Sequence, residues 1–142
     1  RFVSIIVNAA ADESFEDGTN SNFSRTLDIL IRSYGSTVIV ALETIVCSEK
    51  SNAEVVGEAL RWIGAARDED TKAYRRAVLQ KHLRSLSPRI RYAAALGLAE
   101  MDDPGAIPAL RNALEREIHE KIRCHFLLVL EQLVQTQKCH NS

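Results

Sequence analysis

Three groups of residues in this 142-residue sequence carry side chains capable of chemistry. The first is a pair of Cys-His dipeptides, Cys124-His125 and Cys139-His140, alongside a third cysteine, Cys47. Thiolate and imidazole are zinc ligands, but a structural zinc site draws four of them from short, recurring spacings. Positions 47, 124 and 139 follow no such pattern, and the second pair lies in a polar tail, QTQKCHNS, ill suited to rigid geometry. Three cysteines without a pairing framework read as reduced thiols, which implies a cytoplasmic protein. The second group is His119-Glu120, which reads as a capping or solvated pair. No Ser-His-Asp set, glycine-rich phosphate loop or paired-carboxylate cleft can be assembled from the spacings. The residues therefore predict no enzyme, no metal and no cofactor.

The third group is electrostatic. From Thr71 to Ala99 there is no Asp or Glu, while Lys72, Arg75, Arg76, Lys81, Arg84, Arg89 and Arg91 all fall there. Asp68, Glu69, Asp70 and Glu100 flank the run, so a solvated helix face is one reading and a basic ridge for an acidic partner protein is the other. The net charge of −1 offers no global field for nucleic acid. No apolar stretch approaches the roughly 20 residues of a membrane span, and the apolar part of RFVSIIVNAAADESF is too short for a signal peptide.

These groups sit on helices. The chain is 46% hydrophobic but only 6% aromatic, so small aliphatic side chains must fill its core. Residues 1–24 form an N-terminal segment whose stretch ADESFEDGTNSNFS reads as an acidic loop. RTLDILIRSYG places Leu27, Leu30 and Ile31 together and closes on Gly35. STVIVALETIVC is β-branched but spaces Val38, Ala41, Leu42 and Ile45 helically. Ser51 and Glu54 match a capping box before a helix that ends near Gly64. DTKAYRRAVLQKHL groups Tyr74, Ala77, Val78 and Leu83. Ser87 and Pro88 suit an N-cap and first helical position, and the last helix is the longest. Seven or more helices are expected, with Ala94, Leu98, Leu110, Leu114, Leu128 and Leu130 buried.

The helices repeat. Ala73–Val78 matches Ala109–Leu114 at an offset of 36, and Ile90-Arg91 matches Ile122-Arg123. A period of about 35 residues built from helix pairs defines an α-solenoid. The run Ala93-Ala94-Ala95 then marks places where neighbouring helices approach closely, alanine being both small and strongly helix-forming.

The stretch IRYAAALGLAEMDDPGAIPAL, residues 90–110, resembles the HEAT-repeat pattern of bacterial and cyanobacterial HEAT proteins and bilin-lyase-type subunits. The resemblance rests on Ile90-Arg91, the alanine run, Leu98, Asp103-Pro104 and Ala106–Leu110. It implies an all-α, short right-handed solenoid of about three pairs over 25–136, followed by a polar tail, 137–142. The pairs would be 36–48 with 52–65, 70–84 with 87–101, and 104–116 with 118–136. First helices would be convex and second helices concave, with Pro108 kinking its helix. Arg91 and Arg123 would make hydrogen bonds between repeats. His119-Glu120 does not occupy the place of the His-Glu pairs in iron-binding HEAT hydroxylases. The implied function is a non-catalytic scaffold holding another protein on a concave face that includes Glu58, Arg61, Trp62, Tyr92 and Glu100, continued by His125. A phycobilin-lyase-like subunit and a nucleic-acid-binding HEAT-like protein are the alternatives.

Overall fold

The computed structural model describes residues 29–30, 33–47 and 52–141, with backbone alone at 36, 45, 47 and 141. The expectations for the acidic segment 1–24, for Leu27, Ile31 and Ser51, and for the side chains of Ile45 and Cys47 lie outside these residues. The described chain is all α-helical, with no strand. Its helices are α1 (Ser36–Cys47), α2 (Ala53–Ala65), α3 (Lys72–His82), α4 (Pro88–Met101), α5 (Ile107–Arg116) and α6 (Glu120–Asn141). Short 3-10 turns at Glu69–Thr71 and Pro104–Ala106 precede α3 and α5. The helices fall into three pairs, α1–α2, α3–α4 and α5–α6, close to the expected bounds.

Local chemistry sets each start and stop. Gly35 adopts φ 54°, the left-handed conformation that glycine takes without a Cβ penalty, and the chain turns there into α1. Asn52 caps α2, its side chain accepting from Glu54 N–H at 2.7 Å. The cap is thus one residue beyond the expected Ser51. Ser87 caps α4 by accepting from Ile90 N–H, with Pro88 in the first turn, as expected. Asp102 ends α4 in a left-handed conformation, φ 53°. Its carboxylate accepts from Gln132 Nε2 at 2.9 Å and Thr136 Oγ1 at 2.8 Å, both on α6, which holds this uncommon backbone geometry. Asp103 then caps the Pro104–Ala106 turn through Gly105 N–H. That turn corrects the expected kink. Because α5 starts at Ile107, Pro108 lies in its first turn, where no intrahelical acceptor awaits the missing N–H.

The layers differ in how closely their members meet. The second helices, α2, α4 and α6, pack directly on one another, and the contact between α2 and α4 is the most extensive in the molecule. It is made by glycine and alanine. A side-chain carbon at Gly64 would fall on the backbone of Gly97, and one at Gly97 would stand 2.7 Å from Leu60 O and from a Leu79 methyl. The first helices α3 and α5 instead leave a groove between them. Neighbours that touch on one side and stand apart on the other bend the stack around the second-helix layer, so α2, α4 and α6 form its inner face.

The core runs between the layers. Ala94, Leu98 and Leu110 are fully buried, whereas Leu114 and Leu130 are half-buried. Leu128 is 64% exposed, contrary to expectation. Helix α6 buries Ile122, Phe126, Val129 and Leu133, a stripe at helical spacing that turns Leu128 outward. On α3 the buried face is Arg75, Val78 and Leu79, not the expected Tyr74 and Ala77. The structure also corrects the repeat offset. Arg75 and Val78 occupy the places of Ile107 and Leu110, so α3 and α5 repeat at 32 residues, as α4 and α6 do through Ile90-Arg91 and Ile122-Arg123. The offset of 36 slips α3 by about one turn, which preserves the helix face and therefore the apolar pattern.

The two kinds of contact predict opposite responses to one methyl group. Gly57→Ala places its Cβ 3.5 Å from Ala93 Cβ, an ordinary contact, and should raise stability by about 0.5–1 kcal/mol through helix propensity. Gly64→Ala must force α2 away from α4 and should lower stability by about 2 kcal/mol or more despite the same propensity gain. Urea unfolding midpoints of the two variants give the comparison.

Candidate functional site

The inner face carries a groove of about 540 Å³ across α2, α4 and α6. Glu54, Gly57, Glu58 and Arg61 from α2 face Arg89, Tyr92, Ala93 and Leu96 from α4, with Lys121 and Ile122 closing the α6 end. Both helices contribute at i, i+3, i+4 and i+7, the spacing of one helix stripe. Gly57 and Ala93 keep the floor low, and charged residues of both signs form the walls.

Of the five residues expected on the concave surface, Glu58, Arg61 and Tyr92 line this groove. Glu58 lies 3.7 Å from Arg61 and accepts a 2.8 Å hydrogen bond from Trp62 Nε1. Trp62 is half-buried and packs against the core, so its ring braces the wall. Glu100 is exposed but sits beyond the groove, toward the C-terminal end of α4. Tyr92 is 43% exposed and its ring lies 4.3 Å from that of His125 on α6. Burial lowers the pKa of His125, and its Nε2 has no hydrogen-bond partner among the described residues. The ring lies against Tyr92 as a support from the neighbouring helix.

The expected basic ridge does not survive as one surface. Arg75 is 2% exposed: its Nη1 donates to Ile63 O at 2.9 Å, Nη2 to Asp68 O at 2.7 Å, and Nε to Thr71 Oγ1 at 2.8 Å. It thereby satisfies a terminal carbonyl of α2 that has no partner within the helix. Burial lowers its pKa, opposed by the nearby Asp68 and Glu69. Arg76 bridges to Asp103, 2.6 Å away at the start of the next pair. Arg91 clasps Glu117 through Nε and Nη2, at 2.7 and 3.1 Å. Arg89 lies on the inner groove, 3.8 Å from Glu54. Lys72 is half-buried at the start of α3, with Asp103 within its field. Lys81 and Arg84 remain exposed on the outer face.

Arg91 and Arg123 perform one task in successive pairs. Arg91 Nη1 donates to Ser85 O and Arg123 Nη1 to Glu117 O, each six residues back in the loop between the two helices of its own pair. Arg91 adds the carboxylate of Glu117 from the following pair, which is the inter-repeat bond the resemblance implied. Burial pushes the Glu117 carboxyl up, but the bonds from Arg91 and from His119 N–H hold it below its ordinary value. His119 and Glu120 are exposed where α6 begins, and Cys124 points to solvent while its neighbour His125 turns inward. Among the described residues, no three His, Cys, Asp or Glu side chains stand close enough to share a metal ion.

Stacked helix pairs, an inner layer in contact and a repeated loop-binding arginine define the class: an α-solenoid. The family model for HEAT repeats matches residues 41–131, and the chain belongs to that family. No curated protein and no solved structure matches the chain. No helix among the described residues is long and apolar enough to cross a membrane.

Removing one partner of the buried pair tests its role. Arg91→Ala strands the Glu117 carboxylate and should cost about 3 kcal/mol, as for other broken buried pairs. The pH response has a defined sign. The folded pKa of Glu117 lies below 4.5, so the unfolded chain binds more protons on acidification. The stabilisation is fully present above that ordinary value and is lost as pH falls through the folded one. Glu117→Gln should flatten this part of the acid limb, measured as melting temperature against pH.

Proposed function

We propose that the chain is a non-catalytic protein-interaction module that holds a segment of another protein in the inner groove. HEAT repeats commonly serve as interaction scaffolds, and the observation that carries the reading here is Tyr92. It is a large aromatic side chain left partly exposed over a floor of Gly57 and Ala93, backed by His125. An amphipathic ring held in place loses little entropy on binding and is a frequent anchor at interfaces. Glu54, Glu58, Arg61, Arg89 and Lys121 surround it with charge of both signs, which suits a mixed-charge segment better than a polyanion. Arg75, Arg76 and Arg91 are committed to internal bonds, which removes much of the basic run from any reading as a nucleic-acid surface. A cytoplasmic location suits the exposed thiol of Cys124.

Site-specific photocrosslinking provides the test. A benzophenone side chain at position 92 or 61 should capture a partner from a lysate of the source organism, and one at position 111, exposed on α5, should not. Tyr92→Ala should weaken the captured partner by about 2 kcal/mol with little change in melting temperature. Equal capture from 111, or undiminished affinity of the alanine variant, would overturn the reading.

A further inference from the structure

A second surface lies on the other layer and owes nothing to the inner groove. Helices α3 and α5 face each other across the groove between them, and four of the lining residues on one side have a counterpart on the other. Ala77, Gln80 and Lys81 on α3, with Leu83 and Arg84 just past its end, meet Ala109, Asn112, Ala113 and Arg116 on α5. The pairs 77/109, 80/112, 81/113 and 84/116 are each 32 residues apart. The volume is about 380 Å³, it is open because alanines line it, and no acidic residue is among its walls. Lys81, Arg84 and Arg116 make no ion pair or hydrogen bond through their side chains among the described residues, in contrast to Arg75, Arg76 and Arg91.

The groove leads to an edge with an unusual pair of side chains. Two residues beyond each arginine stands a large aliphatic: Leu86 after Arg84 and Ile118 after Arg116. Leu86 is 99% exposed and Ile118 is 87% exposed. The loops that bear them are bound together. Arg91 Nη1 donates to Leu86 O, while the same guanidinium holds Glu117, the residue before Ile118. Arg84, Arg116 and Ile118 also border one smaller cavity with Leu83, Arg91 and Glu117. Both loops therefore present a free guanidinium and, two residues on, an aliphatic side chain in water.

We propose that this edge is a docking surface for an acidic, aliphatic segment of a partner protein. Carboxylates would meet Arg84, Arg116 and Lys81, whose planar or point charges have no acid of their own. Aliphatic side chains would cover Leu86 and Ile118. Adjacent helix pairs stand about 10 Å apart. That spacing matches aliphatics at i, i+3 in a polyproline II segment, which share a face at about 3.1 Å per residue, or at i, i+7 on a helix, about 1.5 Å per residue. The charge supplies attraction and orientation, and the aliphatic pair supplies selection against a bare polyanion.

Fluorescence anisotropy with synthetic peptides tests the surface on the full chain. The probes are fluorescein-labelled Asp/Glu peptides carrying two leucines at i, i+3 or at i, i+7, with a polyglutamate of equal length as comparison. At least one leucine-bearing probe should bind about tenfold or more tightly than polyglutamate. Both Arg84→Glu/Arg116→Glu and Leu86→Ser/Ile118→Ser should weaken it about tenfold or more. All four side chains are exposed, and circular dichroism should show unchanged helix content. Tyr92→Ala, on the inner face, should bind the probe normally. Polyglutamate or a single-stranded oligonucleotide binding as tightly as the leucine-bearing probes would overturn the proposal, as would no binding or indifference to Leu86→Ser/Ile118→Ser. Sedimentation showing that the same double substitution converts a dimer to a monomer would also overturn it, by assigning the edge to self-association.

Discussion

The contact of Gly64 with Gly97 sets the geometry on which the other features rest. Two helices whose backbones meet at a glycine pair come closer than any packing of larger side chains allows. That approach draws α2 onto α4, and no comparable contact draws the outer helices together. The curvature follows from a difference in side-chain size between the layers, with no insertion or kink needed. Glycine costs about 1 kcal/mol in a helix interior relative to alanine. The bare face it leaves lets Leu60, Ile63, Leu79 and Leu98 close over the crossing with no exposed surface.

Electrostatics takes over where apolar packing ends. A solenoid exposes loops at both edges of every pair, and those loops leave carbonyls that no helix satisfies. Arg75, Arg91 and Arg123 are placed at those carbonyls. Each is a long side chain whose guanidinium can donate to several acceptors at once, which a lysine could not do with the same fixed geometry. Arg76 with Asp103, and Arg91 with Glu117, then extend the bonding from one pair to the next. The glycine contact fixes how close the pairs stand, and the arginine contacts fix their register along the helix axes.

This division explains which parts of the sequence were legible. The helix pairs, Ser87 as a cap and the burial of Ala94 and Leu98 follow from local pattern and period, and the structure agrees with them. The register of α3 did not follow, because a slip of one turn keeps apolar residues on the same face. Only the burial of Arg75 and Val78 separates the offsets of 32 and 36. Pro108 reads as a kink in a helix that starts at 104, whereas Asp103 and Pro104 open a separate 3-10 turn and α5 starts at Ile107. The basic run misled more deeply. Charge in a sequence carries no record of what it is bonded to, and Arg75, Arg76 and Arg91 have acceptors supplied by residues up to 27 positions away. The resemblance to HEAT repeats placed Glu58, Arg61 and Tyr92 on one face. Gly57, which gives that face its depth, was passed over because a glycine has no chemistry to notice.

The same small residues account for both surfaces of the molecule. On the inner face, Gly57 and Ala93 let the helices meet and leave a low floor between taller walls. On the outer face, Ala77, Ala109 and Ala113 cannot span a gap that the curvature has opened, and a groove remains. A leucine at any of these outer positions would fill the space with side chain and bury it. Retaining alanine keeps apolar backbone-proximal surface in water beside Arg84 and Arg116, an arrangement that gains nothing for the isolated fold. A single exposed aliphatic side chain is ordinary on a folded protein, but Leu86 and Ile118 each stand two residues after an arginine that has no acid partner among the described residues. Their recurrence at equivalent positions of two successive pairs is the observation on which the docking surface proposed above rests.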